Sequence, residues 1–362
     1  MAQDRRGEAL SAAGGVSVIV PTRNRPALLR AALDSLLAQS RPVDQIVVVD
    51  DASDSTDWLA AVTAMSPVIE VVREERNRGV SAARNHGLDR ARGGYIMFLD
   101  DDDLVDRRFV EEGLAVLAAN RSADGVFFRY RTTVSGETCD ANVDLPPRAQ
   151  RETRVSFPVA LLGTENPVHR ATLEQRPVTA FLRYLIPINS GLIRRSTIGA
   201  VRFPEALRQG EDTCFWISLA AAGRRFVLDE HAYAIVRRHA GNATRSRVRY
   251  LSEIQPCYER LLSEGLLAAP DDVFLAHLKL LWFKTLTGGK GAGRHLQHVL
   301  ASPRLFVAEL RFWTANLASR LRRPAKGGLE QLAQTALEFD GIAGGGQRDI
   351  AADESRVQQV EQ

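Results

Sequence analysis

Residues 16–25 read VSVIVPTRNR and contain a short, largely β-branched run that ends at Pro21. A run of this length and composition predicts a buried β-strand. Behind it, Asn24 is a candidate N-cap, Pro26 suits a first helical turn, and apolar residues recur with helical spacing from Leu28 to Leu37. The stretch therefore predicts a strand followed by a helix, which is the repeating unit of an α/β fold.

The same alternation continues over the first 120 residues. The sequence predicts further strands over residues 46–49, 68–72 and 95–99, and further helices over residues 81–90 and 106–119. Strands that alternate with helices form a mostly parallel sheet with helices on both faces. We therefore expect a Rossmann-like α/β sheet at the N-terminal end of the chain.

From residue 125 the pattern is mixed. Short strands are predicted at residues 126–131, 190–194, 225–228 and 232–237, and a helix at residues 213–222. Residues 135–175 have no clear pattern, so we expect a mobile loop or lid there. Beyond residue 249 the chain is predicted to be helical, with a glycine-rich break at residues 288–293.

These patterns suggest four regions. We expect a disordered N-terminus over residues 1–14, an α/β domain over 15–248, a helical C-terminal region over 249–340, and a polar, disordered tail over 341–362.

Composition limits the partners and the compartment. The 362 residues carry a formal net charge of +3, which is too small to indicate a nucleic-acid partner. Cys139, Cys214 and Cys257 are far apart in sequence and suggest no disulfide framework. No apolar run resembles the core of a signal peptide or reaches the ~18 residues of a membrane span. We therefore expect a cytoplasmic protein, with at most peripheral contact at the inner face of the cytoplasmic membrane.

Acidic residues follow two of the predicted strands. Asp50 and Asp51 follow the second strand, and the run Asp100–Asp103 follows the fourth. In an open parallel sheet the carboxyl ends of the strands share one rim, where ligands bind. So many carboxylates at one rim would repel one another unless a cation neutralises them, and oxygen ligands suit Mg²⁺ or Mn²⁺. Each acidic segment alone also fits a solvated turn or a helix N-cap, but their joint placement predicts a metal–diphosphate site.

Four ordered motifs resemble glycosyltransferase family 2. They are VSVIVPTRNR at residues 16–25, VVDD at 48–51, NRGVSAARNHG at 77–87 and YIMFLDDDD at 95–103. The resemblance extends over about residues 16–245 and implies a GT-A fold and inversion at the anomeric carbon. One departure is Ala52, where the family commonly has glycine after the Asp-Asp pair.

The resemblance implies a nucleotide-sugar site in the first half of the domain, residues 15–120. Asp51 would accept a hydrogen bond from N3–H of uracil or thymine, with guanosine not excluded. Arg84 would face the diphosphate, and Asp102 would be the direct metal ligand, while Asp100 would contact the ribose or a metal-bound water. The implied donor-binding residues are Pro21, Thr22, Arg23, Asp51, Asn77, Arg84, Asp100 and Asp101.

The second half, residues 121–248, would bind the acceptor. Glu211 and Asp212 resemble the family's Glu-Asp motif, in which Asp212 would take the proton of the acceptor hydroxyl. An N-cap role for Asp212 fits the same position. His239 resembles the family's late Arg-x-His segment and would bind metal or a donor phosphate, although a structural role remains open. Residues expected on the acceptor side are Asp103, Asn189, Ser190 and Trp216.

The resulting hypothesis is a metal-dependent enzyme that moves one sugar from a UDP- or dTDP-linked donor to a hydroxyl of a glycan or lipid-linked acceptor. The processive Gln-x-x-Arg-Trp pattern does not occur in the sequence. Two alternatives remain: a non-catalytic relative that binds nucleotide-sugar or glycan, and a sugar-nucleotide nucleotidyltransferase. The second expects a glycine-rich loop after the first strand, where this chain has residues 21–24, PTRN.

The last predicted helices combine Leu, Phe and Trp with Arg. Over residues 280–284 and 305–323 this composition is typical of a helix that lies on a membrane surface. Packing on the α/β domain explains it as well, if the contacts are made by Phe306, Leu310, Trp313 and Leu317. Both interpretations stay open at the level of the sequence.

Overall fold

The computed structural model describes residues 14–134, 170–184, 186–238 and 247–321. Within them the strands form one sheet in the order β3-β2-β1-β4-β7-β6-β8-β5. The strands are β1 (Val16–Thr22), β2 (Gln45–Asp50), β3 (Ile69–Arg73), β4 (Tyr95–Phe98), β5 (Leu104–Val105), β6 (Gly125–Val134), β7 (Gly191–Arg194) and β8 (Phe226–Arg238).

Helices cover the sheet on both faces. Those of the α/β part are α1 (Pro26–Leu37), α2 (Leu59–Met65), α3 (Val80–Arg90), α4 (Phe109–Ala119), α5 (Arg170–Gln175), α6 (Pro177–Arg183), α7 (Arg195–Ile198) and α8 (Glu211–Ala221). A short 3₁₀ turn at Ile188–Ser190 leads into β7. Four longer helices follow: α9 (Arg247–Ser263), α10 (Pro270–Thr287), α11 (Ala292–Leu300) and α12 (Pro303–Leu321).

The sheet is mixed rather than wholly parallel. Strands β3, β2, β1 and β4 are parallel to their neighbours, as predicted. Strand β7 then runs antiparallel to both β4 and β6, and β5 runs antiparallel to β8. The predicted α/β class is confirmed, and the reversal at β7 marks where the first half of the sheet meets the second.

Side-chain alternation along the strands builds a core on each face. In β1, Val16, Val18 and Val20 enter one buried cluster, whereas Ile19 enters the other. Successive side chains of a strand point to opposite faces, and every residue of β1, including Ser17, is buried, so this strand is covered on both sides.

The C-terminal helices share the core of the sheet. Leu251 and Leu261 of α9 and Leu280 and Phe283 of α10 belong to the same buried cluster as Ile19. The helical region is therefore joined to the α/β part by apolar packing. Among the described residues, no helix is both long and apolar enough to cross a membrane.

Several sequence predictions need correction. The two strands predicted at residues 225–228 and 232–237 are one strand, β8, whose pairing with β6 shifts between Phe128 and Arg129. The sequence at this irregularity is polar and therefore resembles a turn. A β-bulge leaves residues unpaired without ending the strand, so polar residues are tolerated there. Asn24 is not the N-cap of α1, since Arg25 holds that position and Pro26 begins the helix. Within the predicted lid, residues 170–175 form α5, and residues 135–169 lie outside the described residues.

Ala52 has a left-handed backbone conformation, with φ of 55°. This conformation costs an L-residue about 1–2 kcal/mol, whereas glycine adopts it freely. Ala52→Gly should therefore raise the free energy of unfolding by about 0.5–1 kcal/mol, after the larger backbone entropy that glycine loses on folding. Urea denaturation measures the change.

Ala60 supplies the control, because it is exposed and lies within helix α2. Ala60→Gly should lower the free energy of unfolding by about 1 kcal/mol. Equal losses for the two variants would show that the turn at Ala52 carries no strain.

Candidate active site

The carboxyl ends of β1, β2 and β4 lie at one edge of the sheet, because the three strands are parallel neighbours. Residues 22–25, 51–54 and 99–103 follow these ends. Thr22 Oγ1 donates a 2.7 Å hydrogen bond to Asp101 Oδ2 across this rim. The geometry brings together the segments that the sequence pattern predicts to meet.

Three of the four consecutive aspartates converge. Oxygen atoms of Asp100, Asp102 and Asp103 lie within 4.8 Å of one another, with Asp103 buried and the other two partly exposed. A set of carboxylate oxygens at this spacing suits a hard divalent cation such as Mg²⁺ or Mn²⁺. The donor set therefore fits the metal that the sequence predicts.

Asp103 is held by the second half of the sheet. Its Oδ2 accepts a 3.0 Å hydrogen bond from Asn189 Nδ2, and its Oδ1 accepts one of 2.9 Å from the backbone N–H of Arg237. The Arg237 guanidinium donates to the backbone carbonyl of Asp102 at 2.5 Å. Burial raises the pKa of Asp103 well above its usual range, and Asp102 and Asp100 raise it further.

Asp101 faces the other way, toward β1. It accepts the hydrogen bond from Thr22 and lies 3.3 Å from Arg25 Nη1, which also lies 3.0 Å from Asp102 Oδ2. Burial raises the pKa of Asp101 to about 6, despite the opposing effects of Thr22 and Arg25. Arg25 thus offsets part of the negative charge at the rim.

Asp51 anchors the loop that precedes α3. Its two carboxylate oxygens accept hydrogen bonds from the backbone N–H groups of Arg78, at 2.7 Å, and Gly79, at 2.8 Å. Asn77 is exposed, and its Oδ1 accepts a hydrogen bond from Gly79 N–H at 3.1 Å. Each carboxylate oxygen can accept a second bond, so these contacts leave Asp51 able to accept from a ligand.

Arg84 joins the aspartate run to the second half of the domain. It lies on α3, is only 2% exposed, and places its Nη2 at 2.6 Å from Asp100 and its Nη1 at 2.8 Å from Glu211. Burial alone would lower the pKa of Arg84, but the two carboxylates raise it, so the guanidinium stays charged. One buried side chain thereby connects the metal-binding segment with the Glu-Asp motif.

Glu211 and Asp212 occupy the first turn of α8. Gly210 precedes them with φ of 80°, and a Cβ at this position would lie 2.9 Å from Cys257 Cβ on α9. The first turn of α8 therefore rests directly on α9.

Asp212 is partly exposed, and its pKa is raised to about 7. Burial is the main cause, Glu211 and Asp100 add to it, and Arg84 opposes it. The Tyr250 hydroxyl on α9 has its own pKa raised by burial and by Asp212. A carboxylate with a pKa near neutrality is suited to accept a proton.

Comparison with known proteins identifies the family. The Glycosyl transferase family 2 model matches residues 17–155. A relative in Bacillus subtilis, the putative teichuronic acid biosynthesis glycosyltransferase TuaG, is 42% identical over 211 residues, which are 58% of this chain and 73% of the relative. The chain belongs to glycosyl transferase family 2. The succinoglycan biosynthesis protein ExoO of Rhizobium meliloti is 30% identical over 256 residues, 66% of this chain and 64% of the relative.

Other similar proteins cover this family 2 chain differently. An uncharacterized glycosyltransferase of Rickettsia felis is 29% identical over 216 residues, and the chain spans only 30% of its length. Among solved structures, the mannosyltransferase PcManGT from Pyrobaculum calidifontis is 20% identical, with a TM-score of 0.48 over 86% of this chain and 88% of the other.

Some predicted site residues lie away from any open surface. Trp216 is 1% exposed and stacks among core aromatic rings, with its ring centroid 4.8 Å from that of Phe127. Asn189 and Ser190 are fully buried, and Ser190 Oγ donates to the Pro187 carbonyl at 2.6 Å. Helix α8 and the 3₁₀ turn direct these three side chains inward, and their expected place on the acceptor side with Asp103 stays a prediction.

The remaining predicted residues are placed as follows. Pro21 is buried within β1, and Arg23 is exposed at the rim, 3.7 Å from Asp54. Arg84, expected to face the diphosphate, has both terminal nitrogens paired with carboxylates. His239 lies outside the described residues, so its role stays a prediction.

The sequence pattern misses Arg25 and Arg237, although both contact the aspartate run. Arg25 ends the motif at residues 16–25 and Arg237 begins the Arg-x-His segment, but the residue pattern does not predict which of the 47 Lys and Arg residues contact the aspartates. Arg73 is missed for the same reason; its Nη1 lies 2.7 Å from the fully buried Asp50.

Arg84→Gln should strongly destabilise the protein. It leaves Asp100 and Glu211 without their shared partner, and breaking a buried ion pair costs about 3–5 kcal/mol. The free energy of unfolding from urea denaturation measures the loss. Glu211 is left as an unpaired charge in Arg84→Gln. The double variant Arg84→Gln with Glu211→Gln should therefore lose less stability than the sum of the losses in the two single variants.

Arg78→Gln is the matched control, since Arg78 pairs with Glu205 at 2.9 Å and both side chains are more than 40% exposed. It should cost less than about 1 kcal/mol. Strict additivity of Arg84→Gln and Glu211→Gln, or a loss for Arg84→Gln no larger than the control, would contradict the bridging role.

Proposed function

We propose that the chain is an inverting glycosyltransferase that moves a single sugar from a nucleotide-diphosphate donor to a hydroxyl acceptor. The observation that carries this proposal is the position of Arg84 between Asp100 and Glu211. Arg84 links the aspartate cluster, which suits a cation bound to a diphosphate, directly to helix α8. Helix α8 also carries Asp212, a carboxylate whose pKa is raised. Inverting displacement at an anomeric carbon is helped by a base for the attacking hydroxyl and by positive charge at the leaving diphosphate.

The donor diphosphate would bind at the aspartate run. Asp102 would be the direct ligand of Mn²⁺ or Mg²⁺ there, and Asp100 and Asp103, whose oxygen atoms lie within 4.8 Å in the same cluster, would complete the acidic site. The cation would neutralise charge that develops on the leaving diphosphate. Asp51 would accept a hydrogen bond from the N3–H of uracil or thymine, and Thr22, Arg23 and Asn77 would surround the nucleotide.

Asp212 would act as the general base. Its carboxylate would take the proton from the acceptor hydroxyl as the hydroxyl oxygen attacks the anomeric carbon, and the diphosphate would leave with the electron pair of the broken bond. Glu211 is paired with Arg84, so it is better suited to position α8 and to raise the pKa of Asp212. The two neighbouring acids would therefore have different tasks.

The relatives support a role in the synthesis of a polysaccharide or another glycoconjugate of the cell envelope. Two of them are described as teichuronic acid and succinoglycan biosynthesis proteins. A growing glycan or a lipid-linked glycan is the acceptor class consistent with both.

The site argues against the alternative of a non-catalytic binding protein. Such a protein has no need of an acid in the first turn of α8, where an ionised carboxylate with a raised pKa reduces stability. The nucleotidyltransferase alternative expects a glycine-rich phosphate loop after β1, whereas Thr22 and Arg25 occupy this position and contact Asp101.

Asp102→Asn should weaken metal-dependent donor binding. Replacing a direct metal ligand should raise the dissociation constant of UDP with Mn²⁺ by at least about tenfold. Calorimetric titration measures it, and thermal shift with UDP, dTDP and GDP in the presence of Mn²⁺ identifies the base that the wild-type protein prefers.

The control is Asp89→Asn, because Asp89 is exposed and pairs only with Arg202 among the contacts of the described residues. It should leave the titration unchanged. Equal affinity of wild-type protein and Asp102→Asn for UDP with Mn²⁺ would rule out the metal assignment.

Turnover should depend on pH through Asp212. Because a base must be ionised to accept a proton, kcat should fall about tenfold per unit as the pH drops below about 7. Asp212→Asn should reduce kcat by orders of magnitude without weakening donor binding, as measured by release of nucleoside diphosphate.

The same substitution should raise stability at pH 8. When the pKa of a carboxyl is higher in the folded than in the unfolded state, the folded protein loses stability as the pH rises from about 4 to about 7. Asn avoids this loss, so the unfolding midpoint of Asp212→Asn should lie above that of the wild type at pH 8. Normal turnover in this variant would exclude the base assignment.

A further inference from the structure

Exposed large apolar side chains are concentrated at the C-terminal helices. Outside α10, α11 and α12, the described residues with such exposure are Leu37 on α1 and Val248 at the start of α9. The others all lie on α10, α11 and α12; they are Leu286, Leu296, Leu300, Phe306, Val307 and Leu310. Clustered apolar exposure of this kind marks an interaction surface rather than chance.

Helix α12 has two distinct faces. Glu309 is buried and forms an ion pair with Arg183, whose guanidinium lies 4.1 Å from the centroid of the Phe312 ring. At about 100° per residue, Leu310 and Val307 lie about 100° and 160° around the helix from Glu309. Phe306 lies only about 60° from Glu309, but it is still 44% exposed. Leu310 is 53% exposed, so the outer arc of α12 is apolar and faces outward.

Helix α11 repeats this arrangement. His295 and Val299 are buried, and His295 lies against His277 of α10, whereas Leu296 and Leu300 are exposed, Leu300 to 68%. Only Ala301 and Ser302 separate α11 from α12. We call the exposed apolar residues of these two helices the C-terminal apolar face.

Basic residues surround this face. Between residues 286 and 312 the cations are Lys290, Arg294, Arg304 and Arg311, all of them exposed, and the acid is Glu309, which is buried. The sequence then adds Arg320, Arg322, Arg323 and Lys326 before the next acid, Glu330. The face therefore combines apolar side chains with an excess of positive charge.

We propose that the C-terminal apolar face binds the surface of an anionic lipid bilayer. Apolar side chains that enter the boundary between headgroups and acyl chains, flanked by Arg and Lys that contact anionic headgroups, are the features of an interfacial helix. A second copy of the chain would fit less well, because its equally basic face would be repelled. Of the four contacts that the packing interpretation requires, Phe306 and Leu310 are exposed, which favours the membrane interpretation. The side chains of Trp313 and Leu317 lie outside the described residues.

Membrane binding by this face would also bring the enzyme to a lipid-linked acceptor, and this consequence rests on the proposed function. A membrane-bound enzyme meets a lipid-linked acceptor at the interface, whereas the nucleotide-sugar arrives from the aqueous side. Binding to lipid itself does not depend on catalysis, so the two proposals can fail separately.

Flotation with vesicles tests the proposal on the full chain. Wild-type protein should bind vesicles of equimolar phosphatidylglycerol and phosphatidylcholine at least about tenfold more tightly than phosphatidylcholine alone, and high salt should weaken the binding. Phe306→Ser with Leu310→Ser should reduce binding to the anionic vesicles by about tenfold or more. Arg304→Gln with Arg311→Gln should remove most of the preference for anionic lipid.

Two controls keep the result specific. Leu37→Ser changes an apolar residue that is 36% exposed on α1, and it should leave binding unchanged. Asp102→Asn should also bind vesicles as the wild type does, which separates membrane binding from donor binding. Unfolding midpoints of all variants should match that of the wild type.

Three outcomes would overturn the proposal. The first is no binding of wild-type protein to anionic vesicles. The second is binding that the double apolar variant retains in full. The third is a wild-type dimer, seen by sedimentation, that Phe306→Ser with Leu310→Ser dissociates while no variant binds lipid.

Discussion

The crowding of carboxylates at one edge of the sheet is the constraint on which the site depends. Asp100 to Asp103, Glu211 and Asp212 approach one another although like charges repel, and several of them are buried. Buried arginine partly compensates for this charge. Arg84 pairs with Asp100 and Glu211 at once, and its planar fork suits two carboxylates better than an ammonium would.

The reversal of strand direction at β7 gives the site its second half. Strands β1, β2 and β4 deliver one set of polar residues to the rim, whereas the 3₁₀ turn before β7 and the end of β8 supply Asn189 and Arg237 to Asp103. The aspartate run is therefore held between two parts of the sheet. Its neighbouring members experience different surroundings, and this is why Asp101 contacts Thr22 while Asp103 contacts Asn189.

Much of this arrangement follows from the sequence. Short, largely β-branched runs such as residues 16–20 and 46–49 predict buried strands, and parallel strands bring the residues after them to one rim. The sequence does not predict which way a short strand such as β7 pairs, because apolar alternation is the same in both directions. It also does not separate Trp216 from its neighbours on α8, since the orientation of that helix decides which side chains are buried.

The contact between α8 and α9 has a consequence for the way the helical region serves the site. Gly210 has a left-handed φ and lies so close to Cys257 that a larger residue would displace α9, and α9 and α10 are built into the core of the sheet. The C-terminal helices thus determine where the first turn of α8 rests, and with it the Asp212 carboxylate. If both proposals hold, a shift of these helices on a membrane would be transmitted through Gly210 and Cys257 to the first turn of α8. The two ends of the described chain would then be mechanically linked through a single glycine.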